Sequence, residues 1–248
     1  MKLPKDYRPA PDLLKDKIIL VTGAGDGIGK VAALTYAAHG ATVVLLGRTQ
    51  SKLEQVYDDI EAQGGPQPAI YPFDLETATP NDYKDMHQVL EETFGVLHGV
   101  LHNAGQLGER TPISDYSPEA WMRVMQVNLN APFLLTQALL PLLHKAERAS
   151  IVFTSSGVAN RGRAFWGAYA ASKAGQDNLM QTLADELEDA SAIRANSINP
   201  GGTRTAMRAT AYPAEDPTTR PAPAEHMPLY LYLMGDDSVG VNGEQFDA

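Results

Sequence analysis

The chain has 248 residues, 44% of them apolar and 20% charged, enough for one full-sized core and too well balanced for wholesale disorder. Thirty acidic against twenty basic residues give a formal charge of −10, which disfavours nucleic acid and anionic membrane as partners. The absence of cysteine excludes disulfides, thiolate catalysis and Cys-ligated metal centres.

The N-terminal stretch MKLPKDYRPAPDLLKDK is polar and proline-rich, so no signal-peptide segment is expected there. No apolar run approaches the roughly 18–20 residues of a membrane span. The expectation is a soluble, cytoplasmic single domain over residues 1–248, with 1–16 as an N-terminal extension.

In chain order, Lys17–Thr22 is a β-rich run ending at glycines, and Ile28–His39 repeats at helical spacing up to Gly40. Thr42–Leu46 is a second strand. Ser51 with Glu54 predicts a capping box that opens a helix to about Gln63. Ala69–Phe73 is a third strand, and Thr79-Pro80 starts a helix with proline at its first position. Gly99–Asn103 is a fourth strand. Ser117-Pro118-Glu119 begins a long helical stretch to about Lys145. Ser150–Ser155 is a fifth strand, Gly167–Glu188 a helix and Arg194–Asn199 a sixth strand. A short helix near Met227–Met234 and a last strand at Glu244–Asp247 close the chain. The segment Ala206–Glu225, with prolines at 213, 217, 221 and 223, has no stable period and is expected to be a substrate lid or a fixed loop. Strands alternating with helices predict an α/β, doubly wound, mostly parallel sheet covered on both faces.

The stretch Thr22-Gly23-Ala24-Gly25-Asp26-Gly27-Ile28-Gly29 lies between the first strand and the first helix. Glycines at these spacings permit a tight turn, close backbone approach to a pyrophosphate and close helix packing, while the helix N-terminus offers N–H groups. After the second strand, where an acid would bond a ribose 2′-hydroxyl, the chain has Gly47-Arg48. A guanidinium there suits a 2′-phosphate, so NADP is favoured over NAD, unless Arg48 is only a solvated surface residue. Asp26 argues mildly the other way. Tyr169 and Lys173 lie four apart on a predicted helix and share a face, so the cation is expected to lower the tyrosine pKa from roughly 10. The six histidines show no ligand spacing, and no metal site is expected.

The glycine loop, Asp74, His102-Asn103-Ala104-Gly105, Asn128, Ser156, Tyr169-x-x-x-Lys173 and Asn199-Pro200-Gly201 stand in order and spacing as in the short-chain dehydrogenase/reductase family, which the chain resembles over about residues 17–247. The stretches HNAG, FTSS, WGAYAASK and INPGGTRTAMR resemble most the bacterial YciK-type oxidoreductases of that family. The resemblance implies a Rossmann-type, seven-stranded fold and hydride transfer between NADP and a carbonyl or alcohol. It implies Tyr169 as acid–base, Ser156 (or neighbouring Ser155) on the substrate oxygen, and Lys173 on the tyrosine and the nicotinamide ribose. Asn128 is expected at a helix break, anchoring a water or merely satisfying backbone groups. Gly23, Gly25, Asp26, Gly27, Ile28 and Gly29 are expected at the pyrophosphate, and Asp74 with Leu75 at the adenine. Asn103, Ala104 and Gly105 are expected at the ribose, with Pro200, Gly201, Thr203 and Thr205 at the nicotinamide. Gly25, where the family often has serine, and His102, where it usually has asparagine, depart from the pattern. The chain ends before the family's usual glycine pair, so the tail is expected to be trimmed or disordered. The resemblance also implies a homodimer or homotetramer. A nucleotide-dependent sensor or scaffold with little turnover is the rival reading. Finally, five of eleven arginines (Arg110, Arg161, Arg163, Arg204 and Arg208) fall in segments expected to rim the site, which predicts an anionic small-molecule substrate unless they hold the cofactor phosphates or pair with Glu109, Asp115 or a neighbouring subunit.

Overall fold

Short runs of Val, Ile and Leu between glycines make the strands, and the alternation within them decides which face each side chain enters. The computed structural model describes residues 1–188 and 191–248. Its strands are β1 (Ile18–Thr22), β2 (Thr42–Gly47), β3 (Ala69–Pro72), β4 (Gly99–His102), β5 (Ala149–Thr154), β6 (Ile193–Asn199) and β7 (Gln245–Asp247). They form one seven-stranded sheet in the order β3-β2-β1-β4-β5-β6-β7, and every pair is parallel. This is the doubly wound arrangement expected, and its order reverses between β1 and β4.

The helices are α1 (Gly27–Ala38), α2 (Gln50–Ala62), α3 (Pro80–Phe94), α4 (Pro118–Met125), α5 (Ala131–Leu143), α6 (Gly157–Asn160), α7 (Gly167–Leu187), α8 (Ala206–Ala211) and α9 (Met227–Met234). On one face Ile19, Val21, Val43 and Leu45 pack with Tyr36 of α1, Val56 of α2 and Tyr230 of α9. On the other Leu20, Val44 and Leu46 pack with Met86 of α3, Leu139 of α5 and Met180 of α7. The near-unbroken apolar strands are thus explained by burial on both sides.

Several local expectations are corrected. The Ser51–Glu54 capping box does not form. The helix begins two residues earlier, Thr49 is its N-cap without a side-chain bond, and Glu54 Oε1 instead accepts from Gln50 Nε2 at 2.8 Å. The box forms at α3, where Thr79 and Asp82 bond reciprocally ahead of Pro80. The long stretch from Ser117 is α4 and α5 joined by a π-helical turn at Gln126–Asn130. Segment 206–225 is not without regular structure: it holds α8 and a 3₁₀ turn at Pro217–Thr219, and another 3₁₀ turn, Pro223–His226, begins at its end. The tail is ordered, with Phe246 buried and Asp247 N donating to the Met1 carbonyl at 3.0 Å. Residues 1–16 also dock onto the core, through fully buried Leu14 and an edge-to-face contact of Tyr7 with Tyr232. No helix among the described residues is long and apolar enough to cross a membrane.

Candidate active site

The carboxyl ends of β1 to β6 open on one cavity of about 550 Å³, the place where sheets of this order take ligands. Every expected site residue lines it except Gly29 and Asn128, which lie behind its wall.

At one end, the turn after β1 is left-handed at Gly23 (φ 66°) and Gly27 (φ 53°), conformations that glycine adopts without cost. Gly29 is needed for packing: a Cβ there would run into the Gly23 carbonyl and stand 2.5 Å from Asn103 Nδ2. The α1 N-terminus is capped by Asp26, whose Oδ1 accepts from Gly27 N at 2.7 Å. Its Oδ2 accepts from Lys52 Nζ at 2.6 Å, so the negative charge that argued against a phosphate is neutralised. Lys52 was not singled out from the sequence, because only the fold brings the first turn of α2 beside the glycine loop. It also accounts for Gly25, since the Cβ of a serine there would meet Lys52 Cβ at 2.9 Å. Arg48 lies exposed at the rim and has no ion-pair partner among the described residues. Asp74 Oδ1 accepts from Glu76 N at 3.0 Å, fixing the turn that carries Leu75.

In the middle, Thr22 Oγ1 accepts from the backbone N–H groups of Asn103 and Ala104 at 2.9 and 3.0 Å, tying the β4 turn to β1. Gly105 faces Asn128: a Cβ there would lie 3.4 Å from Asn128 Oδ1. Asn128 is fully buried in the π turn. Its Oδ1 accepts from Gln106 N at 2.7 Å, and its Nδ2 donates to Gln106 O at 2.9 Å and Ser172 Oγ at 3.0 Å. The helix break is where it was expected, and the side chain satisfies backbone groups. His102 is a core residue: Nε2 pairs with Thr136 Oγ1 at 2.9 Å and the ring stacks on Phe153 at 4.6 Å. Burial, then the nearby Lys173 charge, pulls its pKa down to about 3, so it is neutral at physiological pH.

At the other end stand Ser156, at the end of β5, and Tyr169 and Lys173 on α7. Lys173 is buried, and its Nζ donates to Thr154 O at 2.7 Å and Gln176 Oε1 at 3.0 Å. Burial lowers its pKa to about 8, against an upward pull from Asp177. The Tyr169 phenol is not lowered as the sequence suggested. Burial pushes it up to about 12, opposed by a hydrogen bond with Ser156. The cost of placing a phenolate away from water outweighs a cation 6.0 Å from the ring centre that is already committed to two oxygens.

The far wall comes from the β6 turn and α8. Gly201 is left-handed (φ 63°), beside Pro200. Thr203 is buried, with its hydroxyl donating to Pro200 O at 3.0 Å and paired with His226 Nε2 at 3.0 Å. Thr205 caps α8 by accepting from Arg208 N at 3.2 Å. Trp166, at the end of a segment expected from the sequence to help build the substrate pocket, lines the cavity and packs 5.6 Å from the Tyr169 ring. Of the five arginines expected at the rim, only Arg208 lines the cavity. Its guanidinium is held by Glu215 through two bonds of 2.6 and 2.7 Å and lies 3.8 Å from the centre of the Tyr212 ring. Arg110 stacks at 4.2 Å on Trp166 and donates to Ala211 O at 2.9 Å. Arg161, Arg163 and Arg204 are exposed.

Comparison with known proteins gives the family of the chain. The family model described as short chain dehydrogenase matches residues 17–216. The Escherichia coli K12 protein known as uncharacterized oxidoreductase YciK is 56% identical, over 98% of this chain and 95% of its own length. A Pseudomonas syringae structure described as a short chain dehydrogenase superposes with TM-score 0.96 at 57% identity, covering 98% of both chains. A structure from Escherichia coli CFT073, of the same description and complexed with NADPH, has TM-score 0.94 at 56% identity and covers 96% of this chain and 99% of its own. The seven-stranded sheet, the glycine loop and the matched sequence together make the chain a member of the short-chain dehydrogenase family of oxidoreductases.

Proposed function

We propose that this chain is an NADP-dependent oxidoreductase that reduces the carbonyl group of a small molecule. The observation carrying this reading is a single cavity that runs from the glycine loop and Arg48 to Ser156, Tyr169 and Lys173. The residues fit the cofactor: bare backbone and a helix N-terminus suit a pyrophosphate, and an unpaired guanidinium suits a 2′-phosphate. The NADPH complex of the Escherichia coli CFT073 relative supports the same choice. When bound, the nicotinamide supplies the hydride.

The protein's own groups handle the oxygen and its proton. A phenol with its pKa near 12 is protonated at neutral pH, so Tyr169 is ready to donate its proton to a carbonyl oxygen. Alcohol oxidation is the same transfer run in reverse, with the phenolate taking the proton back. Ser156 polarises the same oxygen, and the Lys173 ammonium stabilises the phenolate left behind. Asn128 supports them by fixing the π turn against the Gln106 backbone. The anionic substrate suggested by the arginines keeps one candidate, Arg208, and Glu215 already satisfies it. An uncharged carbonyl packed against Leu107, Trp166 and Met207 is the better fit. Exposed Met122 of α4 and Phe133 of α5 favour a homodimer or homotetramer built on those helices.

With a panel of diketones, quinones and ketones, NADPH is expected to be consumed with at least one of them. Tight NADPH binding without turnover on any carbonyl would leave the sensor or scaffold reading standing.

Residues 206–225 act as the substrate lid in this reading. Glu215 latches it, accepting from Arg208 and also from Arg220 Nε at 2.8 Å. These two cations lower the Glu215 pKa to about 2, so the latch persists until pH falls to that range. Trypsin should cut after Arg208 in the free protein, and not at Arg220, because Pro221 follows it. NADPH should slow the cut and Glu215→Ala should hasten it. Equal cleavage with and without NADPH would make the segment a fixed loop.

A further inference from the structure

A second cavity, of about 160 Å³, is lined by Ser155, Ser156, Asp177, Ser197 and residues of β7. Asp177 is only 6% exposed and is the one acidic side chain buried to this degree among the described residues. Its Oδ2 accepts from Ser155 Oγ at 2.6 Å, while Oδ1 and Ser197 Oγ are buried without a hydrogen-bond partner. The cavity has room for water on both atoms. Asp177 follows Lys173 by four residues on α7, so the two share a helix face. It thus touches both halves of the site: by a hydrogen bond, the residue next to Ser156, and by its charge, Lys173.

We propose that Asp177 is a positioning residue for the reaction: through Ser155 it holds the end of β5 that carries Ser156, and one turn along α7 its carboxylate is the buried counter-charge of Lys173. This rests on the Ser156–Tyr169–Lys173 reading above. A buried carboxylate is itself raised in pKa by desolvation, and Ser155, Ser197 and Lys173 pull it back toward the charged form.

The other groups near the pair do not replace it. On α7, Tyr169 is a neutral phenol. From β4, His102 is neutral, and from α9, Tyr230 is a buried phenol raised further by desolvation. β5, the π turn and α6 contain no titratable side chain. On β6, Arg194 points its guanidinium to Gly235 O. On α4, Glu119 and Arg123 are exposed, and at the rim of the second cavity are the Met1 amino group and exposed Asp247.

The sign follows directly. Removing the negative charge makes Lys173 lose its proton at lower pH, so the alkaline limb of kcat/KM moves down. A shift of about one pH unit or more is expected for Asp177→Asn, in NADPH-dependent reduction of any accepted carbonyl. Asp177→Glu should keep the limb near wild type. Ser155→Ala should lower kcat without moving the limb. If Asp177→Asn does not fold, Asp177→Ser, whose lost atoms open onto the cavity, gives the same readout. A neutral variant with a lowered melting temperature and an unmoved limb would make Asp177 merely structural and overturn the proposal. Tyr169→Phe separates the two levels. If it keeps activity, the site reading fails; if it is inactive while the limb stays fixed in the neutral variants, only the role of Asp177 fails.

Discussion

Tyr169→Phe should lower kcat for carbonyl reduction by about 10²–10⁴-fold, the range for removing a general acid, while leaving the fold and NADPH affinity near wild type. The substitution deletes one oxygen and keeps the ring, so the packing against Trp166 at 5.6 Å survives. Among the described residues lining the cavity, no other side chain offers a comparable acid beside Ser156 and Lys173. His102 is buried in the core with a pKa near 3, and Lys173 already gives protons to Thr154 O and Gln176 Oε1. Ser156 can polarise an oxygen but is too weak an acid to replace a phenol. Single-turnover mixing with NADPH, together with the melting temperature, checks the chemistry separately from folding. Turnover near wild type would mean that another group supplies the proton.

Much of this site was legible before any coordinates. The glycine loop and the Tyr169–Lys173 pair are local or regularly spaced patterns that strand–turn–helix physics carries to the carboxyl edge of the sheet, whereas Ser156 and Asn128 were expected from the spacing of the resembled family. The π turn at Asn128 also fell where the family spacing put a helix break. What stayed hidden depends on contacts between distant segments. Lys52 meets Asp26 across 26 residues, and His102 meets Thr136 across 34. Arginine pairing is hidden in the same way: a count of cations near a site does not reveal that Glu215 holds Arg208 or that Trp166 carries Arg110. The tyrosine pKa was misjudged because helical spacing gives the distance to a cation but not the depth of burial, and here burial is the larger effect. The Ser51–Glu54 box lost to a helix start two residues earlier, a margin that capping preferences of about 1 kcal/mol do not resolve.

The second large effect concerns the cofactor. Wild type should bind NADPH more tightly than NADH, and Arg48→Ala should weaken NADPH by about ten- to a hundredfold while leaving NADH nearly unchanged. Asp26 would repel a 2′-phosphate, but Lys52 neutralises it at 2.6 Å, and the carboxylate, its pKa lowered chiefly by that bond, stays committed to the pair. Lys52 and Asp26 together therefore add no net charge for the phosphate. Arg48 has no ion-pair partner among the described residues and follows β2, where an NAD-selective site would carry an acid. Its planar fork can give two charge-assisted bonds to one phosphate, which no other side chain at this end offers. Because Arg48 is exposed, salt screens the interaction, and the difference should be largest at low ionic strength. Lys52→Ala should act differently: it exposes the Asp26 charge and weakens both cofactors through their shared pyrophosphate. Titrations of NADPH and NADH against wild type and the two variants, at low and at 0.15 M salt, distinguish these roles. Equal affinity of the wild type for the two cofactors, or an Arg48→Ala loss shared by NADH, would remove Arg48 from 2′-phosphate recognition.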